Sequence, residues 1–483
     1  MRYPVMASVI VLLAGSPALA EPAPDSLLLR PTHYDLSVQL DLDGQRMTAS
    51  ARIRLRNDTQ YPVRNASLLL YRLLDVRTVR DSAGAARDFS QRVVAFADVG
   101  KLQANHIVVP LVPALAPGQE ITLEVEYGGY LLGYAETGML YVRDRIDTTY
   151  TILRMDAFAY PQPGYPSRAA NLRAGLPEYD YTARITVPAS HTVANGGALV
   201  ERREAGATVT YRYRSLKPSW RMDFAVARFT TLRDGDLAVH HLPEDSVGAR
   251  RILAAMSRTL GLYTRWFGPL RGSASFTVIE IPDGWGSQAD ATSILQSAAA
   301  FRDPRREIEL YHEISHLWNP TSAEWPSPRW NEGLATFLEQ LTADSLSGTA
   351  TTDSSAMRMA RWLAGRLAGD SGLRTVPLVD YGKQGMTGYS YSVGSVMFYG
   401  LYRLVGHDVF RRIVGEYYRR HEAGGSSAGL VDVANGVSPI DLTAFFDAWL
   451  FSTQWGAIVS GAKQPAELYQ RYRRQPTDLS GRW

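Results

Sequence analysis

Between Pro31 and Phe229 the apolar residues fall at every second position. Leu36, Val38, Leu40 and Leu42 alternate with polar residues, Asp43-Gly44 supplies a turn, and Ala49, Ala51, Ile53 and Leu55 alternate again. Successive side chains of a strand point to opposite faces, so this period of two suits a sheet with one buried face and does not suit a helix. The pair reads as a β-hairpin. The same alternation returns in Ile121-Leu123-Val125-Tyr127, Tyr181-Ala183-Ile185-Val187 and Val209-Tyr211-Tyr213. Many short strands punctuated by Gly, Pro and Asn-Gly predict an all-β domain of packed sheets.

Near Arg233-Asp234-Gly235 the period changes. Ile252, Met256, Leu260, Tyr263 and Phe267 fall at helical spacing, and Phe276 to Pro282 reads as a strand. The second domain is therefore mixed at its start. Beyond Glu332 the pattern is mainly helical: Met357 to Leu367, Tyr391 to Leu404, Phe410 to Tyr418, and a last helix opened by Ser438-Pro439 with Leu442, Phe445, Phe446 and Trp449 on its apolar face. Gly-Gly-Ser-Ser at 424–427 reads as a loop between helices. The expected organisation is a multidomain chain: leader 1–20, all-β domain 21–232, mixed α/β to mainly α domain 233–462, and tail 463–483.

The leader expectation rests on Arg2, the apolar run Val9-Ile10-Val11-Leu12-Leu13 and the ending Ala18-Leu19-Ala20, the pattern of a secretory signal peptide cut after Ala20. No later apolar run reaches the length of about 18 residues that spans a bilayer. With no cysteine the chain forms no disulfide, so an exported protein of this kind suits the bacterial periplasm or secretion. A net charge of +3 and the lack of a basic block argue against a nucleic-acid partner. The local cluster Arg471-Tyr472-Arg473-Arg474 reads as a solvated end.

The second domain carries His312-Glu313-Ile314-Ser315-His316. Asp303-Pro304 reads as an N-cap followed by proline at the first helical position, and the run continues to Trp318 until Asn319-Pro320 stops it. On a helix, residues i and i+4 share a face, so both histidines can present a ring nitrogen to one metal ion. Glu313 is rotated off the ligand line, where a general base can reach a metal-activated water. Two histidines leave a tetrahedral zinc short of ligands. Glu332, separated from His316 by fifteen residues in Trp330-Asn331-Glu332-Gly333-Leu334-Ala335, can supply the third and leave the fourth position open, although a glutamate at a helix start also suits the helix dipole.

These segments resemble the aminopeptidase N-like zinc peptidases of the gluzincin class. Pro31-Thr32-His33-Tyr34-Asp35 is similar to the opening of that family's β-domain, and Ala194-Asn195-Gly196 and Trp220 to Ala227 are similar to its later strands. His312 to His316 with Trp318, and Asn331 to Ala335, match its zinc motif; Tyr391-Ser392-Val393-Gly394 is similar to its catalytic-tyrosine segment. The resemblance implies a short, two-domain member with a thermolysin-like catalytic domain. It implies one Zn2+ per chain on His312, His316 and Glu332, Glu313 as general base, and Tyr391 as the phenol that stabilises the oxyanion. From the residues alone, Tyr391 among 26 tyrosines would read as core.

Three departures bear on substrate. The interval from His316 to Glu332 is shorter than the family's usual one. The segment matching its substrate-recognition motif is Gly284-Trp285-Gly286-Ser287-Gln288-Ala289-Asp290, which implies substrate binding by Gly286, Ser287 and Gln288 but holds no glutamate for a free α-amine. Its glycines fit either a backbone that pairs with a peptide or a plain turn. The chain also ends soon after the catalytic domain, which implies an open cleft. The expectation is a zinc metallopeptidase acting on peptides, aminopeptidase by default, with a zinc endopeptidase or specialised amide hydrolase as the alternative and a non-catalytic scaffold behind both.

Overall fold

The structure, a computed structural model, describes residues 28–133, 143–175, 177–272, 275–285, 287–290 and 292–473. The leader 1–20, Gly286 and the last ten residues of the tail lie outside the described residues. A β-rich N-terminal region is followed by a helical C-terminal one. By its contacts the chain divides into two compact units, Ala20–Ala255 with Arg271–Glu307, and Met256–Leu270 with Ile308–Trp483.

In the first unit the period of two becomes a burial pattern. Along Arg46–Arg56, Met47, Ala49, Ala51, Ile53 and Leu55 are buried, while Arg46, Arg52, Arg54 and Arg56 face solvent. The hairpin pairs Leu36 with Ala51 and Val38 with Ala49, and Asp41 Oδ1 accepts from the Gly44 N–H at its turn. It lies in a seven-stranded sheet ordered Ala198–Ala205, Thr208–Arg214, Asp180–Pro188, Arg30–Asp41, Arg46–Arg56, Glu120–Tyr130, Leu74–Asp81. Leu36, Ile53, Val125 and Ile185 from this sheet share one core with Leu68, Ile107 and Val109 from a four-stranded sheet. Each such side chain contributes roughly 1.5–3 kcal/mol on burial, so this packed-sheet core has no need of a disulfide.

Arg233-Asp234-Gly235 proves to be the tip of a hairpin between Thr230–Asp234 and Leu237–His241, with Gly235 at φ +56. That hairpin opens a five-stranded sheet in which Leu237–His241, Phe276–Ile281 and Ser293–Ser297 run parallel. Parallel neighbours need a crossover, and the helix Ser246–Phe267 provides it between the first two. Gly284, at φ +80, turns the chain, Trp285 is buried edge-on against Tyr150, and Gln288–Ala289 form the antiparallel edge strand. Gly284 thus sits in a turn, while Gly286 lies outside the described residues.

The second unit contains the helices Trp330–Ser347, Thr352–Gly369, Ser390–Val405, His407–Arg420 and Ser427–Val437. The motif helix Glu307–Ser315 starts as expected: the Asp303 side chain accepts from the Arg305 N–H, and Pro304 opens a 3-10 turn that leads into it. Ser426 likewise caps Ser427–Val437 through the Gly429 N–H, so 424–426 form the connection between helices and Ser427 is already helical. The reading of Ser438-Pro439 as a helix start is wrong. Ser438 ends the preceding helix, its N–H bonded to Ala434 O, and Pro439 follows as a terminator; the next helix begins at Thr443, whose N–H bonds Asp441 Oδ1. Its apolar face is as read, with Leu442, Phe445, Phe446 and Trp449 buried.

Candidate active site

The motif helix gives its regular geometry as far as Ser315 and tightens to a 3-10 turn over His316–Trp318. The turn is pinned from beneath. Trp318 Nε1 donates to Gly268 O at 2.9 Å, and the Trp318 ring stands edge-on to Tyr263 at 5.6 Å. Tyr263 donates to Tyr311 O and accepts from Thr342 Oγ1, so one buried phenol ties the motif helix to the helix Trp330–Ser347.

That second helix brings Glu332 against both histidines. Glu332 Oε2 lies 3.4 Å from His312 Nε2 and 3.4 Å from His316 Nε2, and the carboxylate is buried. Ligand atoms about 2.05 Å from a tetrahedral zinc stand about 3.3 Å apart, so the separation of this carboxylate oxygen from each imidazole fits such an ion. The other ring nitrogens are held from behind: His312 Nδ1 lies 2.9 Å from Glu339 Oε2, and His316 Nδ1 lies 3.0 Å from the Asn319 amide. Such partners fix ring orientation, and the Glu339 carboxylate, accepting from the Nδ1–H of His312, leaves that ring's Nε2 for the ion; the Asn319 atom that faces His316 Nδ1 is the amide nitrogen Nδ2. The three residues form a group that could hold a metal ion.

Burial opposes the charge on Glu332, but His316, His312 and Arg329 together hold its carboxyl well below the usual range. Burial also works against a proton on His312, yet the hydrogen bonds its ring donates to Glu332 and Glu339 push it up to about 10. Glu313 is raised by burial, against the pull of His312 and His316, as suits a proton acceptor. Tyr391 stacks on His312, ring planes 10° apart and centroids 6.0 Å. Burial and the Glu332 charge push the phenol above its ordinary value, so it keeps its proton at neutral pH and remains a donor.

Two glycines make this meeting possible. The helices Trp330–Ser347 and Ser390–Val405 cross at Gly333 and Gly394, where a Cβ on Gly333 would lie 2.4 Å from Gly394 Cα. Glu332 is the residue before one glycine, and Tyr391 sits three before the other. Ser390 Oγ, beside Tyr391, donates to Pro328 O at 2.7 Å and ties the tyrosine helix to the approach to Glu332.

His312, Glu313, His316, Glu332 and Tyr391 are thus all in the second unit. Ser287 and Gln288 belong to the first unit, with their side chains engaged there: Ser287 Oγ accepts from Gln296 Nε2 and the Ser297 N–H, and Gln288 Oε1 accepts from Arg154 Nη1 at 2.9 Å. Arg154 is itself fully buried and paired with Asp144. Sequence reasoning passed over Glu339, Asn319 and Arg329. Glu339 had a signal, since it lies seven residues beyond Glu332 on the same helix and therefore on the same face. Asn319 and Arg329 had none, because their roles depend on loop paths.

No protein-family model and no curated protein matches the sequence. Solved structures do. An M1 zinc metallopeptidase of Deinococcus radiodurans, in a glutamate-to-alanine mutant bound to a Tyr-Ser-Ala substrate, superposes with a TM-score of 0.64 at 20% identity, covering 88% of this chain and 94% of that one. The same enzyme without the mutation gives 0.63 at 19% identity over 88% and 94%. A two-domain M1 zinc metallopeptidase mutant bound to L-tryptophan gives 0.63 at 20% identity over 87% and 94%. The fold of this chain is that of the M1 zinc metallopeptidases.

Proposed function

We propose that the chain is a zinc-dependent metallopeptidase that hydrolyses peptide bonds, with His312, His316 and Glu332 holding one zinc, Glu313 as general base and Tyr391 as oxyanion donor. The observation that carries this reading is Glu332 Oε2 at 3.4 Å from both histidine Nε2 atoms, with a raised carboxyl and a protonated phenol beside it. Zinc bound there supplies Lewis acidity. Glu313 takes a proton from the attacking water and returns it to the leaving amine nitrogen; Tyr391 donates a hydrogen bond to the oxygen on which charge develops.

Aminopeptidase action is the default subtype. One observation favours the alternative, a zinc endopeptidase or amide hydrolase. In the segment that resembles an amine-recognition motif stands Gln288, a neutral side chain whose oxygen already accepts from Arg154. The reading also takes the chain as exported, on the strength of its first twenty residues; among the described residues no helix is long and apolar enough to cross a membrane. Purified protein should bind about one zinc and cleave peptides, and Glu313→Gln should retain zinc while losing at least roughly a hundredfold in turnover. Full activity in Glu313→Gln or after zinc removal overturns the reading. Peptides with free and acetylated N-termini decide the subtype: equal cleavage of both removes aminopeptidase action.

A further inference from the structure

Arg329 stands immediately before the helix that carries Glu332, in the left-handed region at φ 57 and ψ 29. A side chain with a β-carbon is uncommon in that conformation. Its backbone N–H is held by Ser327 Oγ, and its guanidinium reaches over the start of the helix so that Nη2 donates to Glu332 Oε1. Oε2 of the same carboxylate faces the two histidines. The Arg329 side chain is nevertheless 46% exposed, whereas that of Glu332 is 8% exposed. One nitrogen of the guanidinium is tied inward, while the side chain as a whole stays about half exposed.

We propose that Arg329 is a specificity-determining residue that binds a carboxylate of the substrate next to the scissile amide. The inference rests on the peptidase reading. The charged groups with which Arg329 interacts, Glu332 and Glu313, are carboxylates, and the third neighbour, Tyr391, is a neutral phenol. A divalent cation on Glu332 offsets the charge that Arg329 now pairs with. The guanidinium is then a cation within electrostatic reach of the base and the phenol, with donors to spare in the planar fork that matches a carboxylate. Because Arg329 adjoins the groups that act on the amide, the substrate anion it selects lies close to the bond that is cut. An uncharged substrate gains nothing from it.

The experiment uses two peptide pairs, one with Glu or Gln adjacent to the cleaved bond and one with a C-terminal acid or amide. Binding is measured by calorimetry on zinc-loaded Glu313→Gln protein and kcat/KM on the wild type, each with and without Arg329→Asn, since Asn tolerates a positive φ. Arg329→Lys keeps the charge without the fork and serves if the Asn variant folds poorly. The acidic member of one pair should bind on the order of tenfold more tightly, and that gap should close in Arg329→Asn and narrow in Arg329→Lys. The pair that shows the gap tells an acidic side chain from a terminal carboxylate. No gap in either pair, or a gap that survives Arg329→Asn, overturns the inference. Absence of any turnover counts against the peptidase reading, while the binding arm still decides the role of Arg329.

Discussion

Replacing Gly333 by Ala tests whether the helix crossing sets the site. An added Cβ would lie 2.4 Å from Gly394 Cα, 2.6 Å from Gly394 C and 2.7 Å from Ser390 O. Carbon atoms in ordinary contact stand about 3.5–4.0 Å apart, so the two helices must separate by about 1 Å at the crossing. All three obstructing atoms are backbone, and no rotamer change relieves them. Overpacking of this sort costs roughly 1–3 kcal/mol. The same displacement moves Tyr391 away from Glu332, and a 1 Å misplacement of a reacting group costs on the order of a hundredfold in rate. Gly333→Ala should therefore unfold at lower temperature and lose about two orders of magnitude in kcat/KM. Gly394→Ala, whose Cβ meets Gly333 Cα at 2.9 Å, should follow in the same direction with a smaller effect. Thermal unfolding and peptide hydrolysis are the assays, with zinc content as a control. A Gly333→Ala protein with wild-type melting and wild-type turnover refutes the argument that this crossing positions the phenol.

Tyr391→Phe removes one hydroxyl and little volume, so steady-state kinetics should show kcat falling roughly a hundredfold with KM little changed, as for a donor used mainly in the transition state. Glu339→Gln should weaken zinc binding by about ten- to a hundredfold in a chelator competition, because the carboxylate behind His312 Nδ1 is lost. His240, in the first unit, supplies a pH dependence of stability. Burial lowers it to about 3, with Arg233 and His241 adding to the effect. Between an unfolded value of 6.5 and that folded value the unfolded chain holds a proton that the fold refuses, so stability is full above pH 6.5 and declines as pH falls toward 3. The decline is about 1.4 kcal/mol per pH unit. Urea midpoints at pH 7 and 4.5 should draw closer together in His240→Gln; an unchanged difference would show that the buried imidazole does not control the acid limb.

Local rules account for what the sequence by itself determined. A strand shows its period in the identity of every second residue, so the alternation at Leu36 to Leu42 and Ala49 to Leu55 located a real hairpin with its buried face. Asp303-Pro304 announced the motif helix because capping involves only adjacent residues. The histidine pair was visible in the same way, through i and i+4 spacing, whereas Glu332 lies on another helix and was picked out as third ligand by its resemblance to a family motif. Local rules fail where one residue suits two ends: Ser438-Pro439 looked like a helix start, and only the Ala434 O partner shows that it is a helix end. Everything that aims the site belongs to the tertiary structure. The approach of Gly333 to Gly394, the Arg329 fork on Glu332 and the Asn319 amide behind His316 arise from packing between elements and from loop paths. A sequence records which side chains are present at each turn of a helix, whereas the distance between two helices depends on what every residue at their crossing leaves room for.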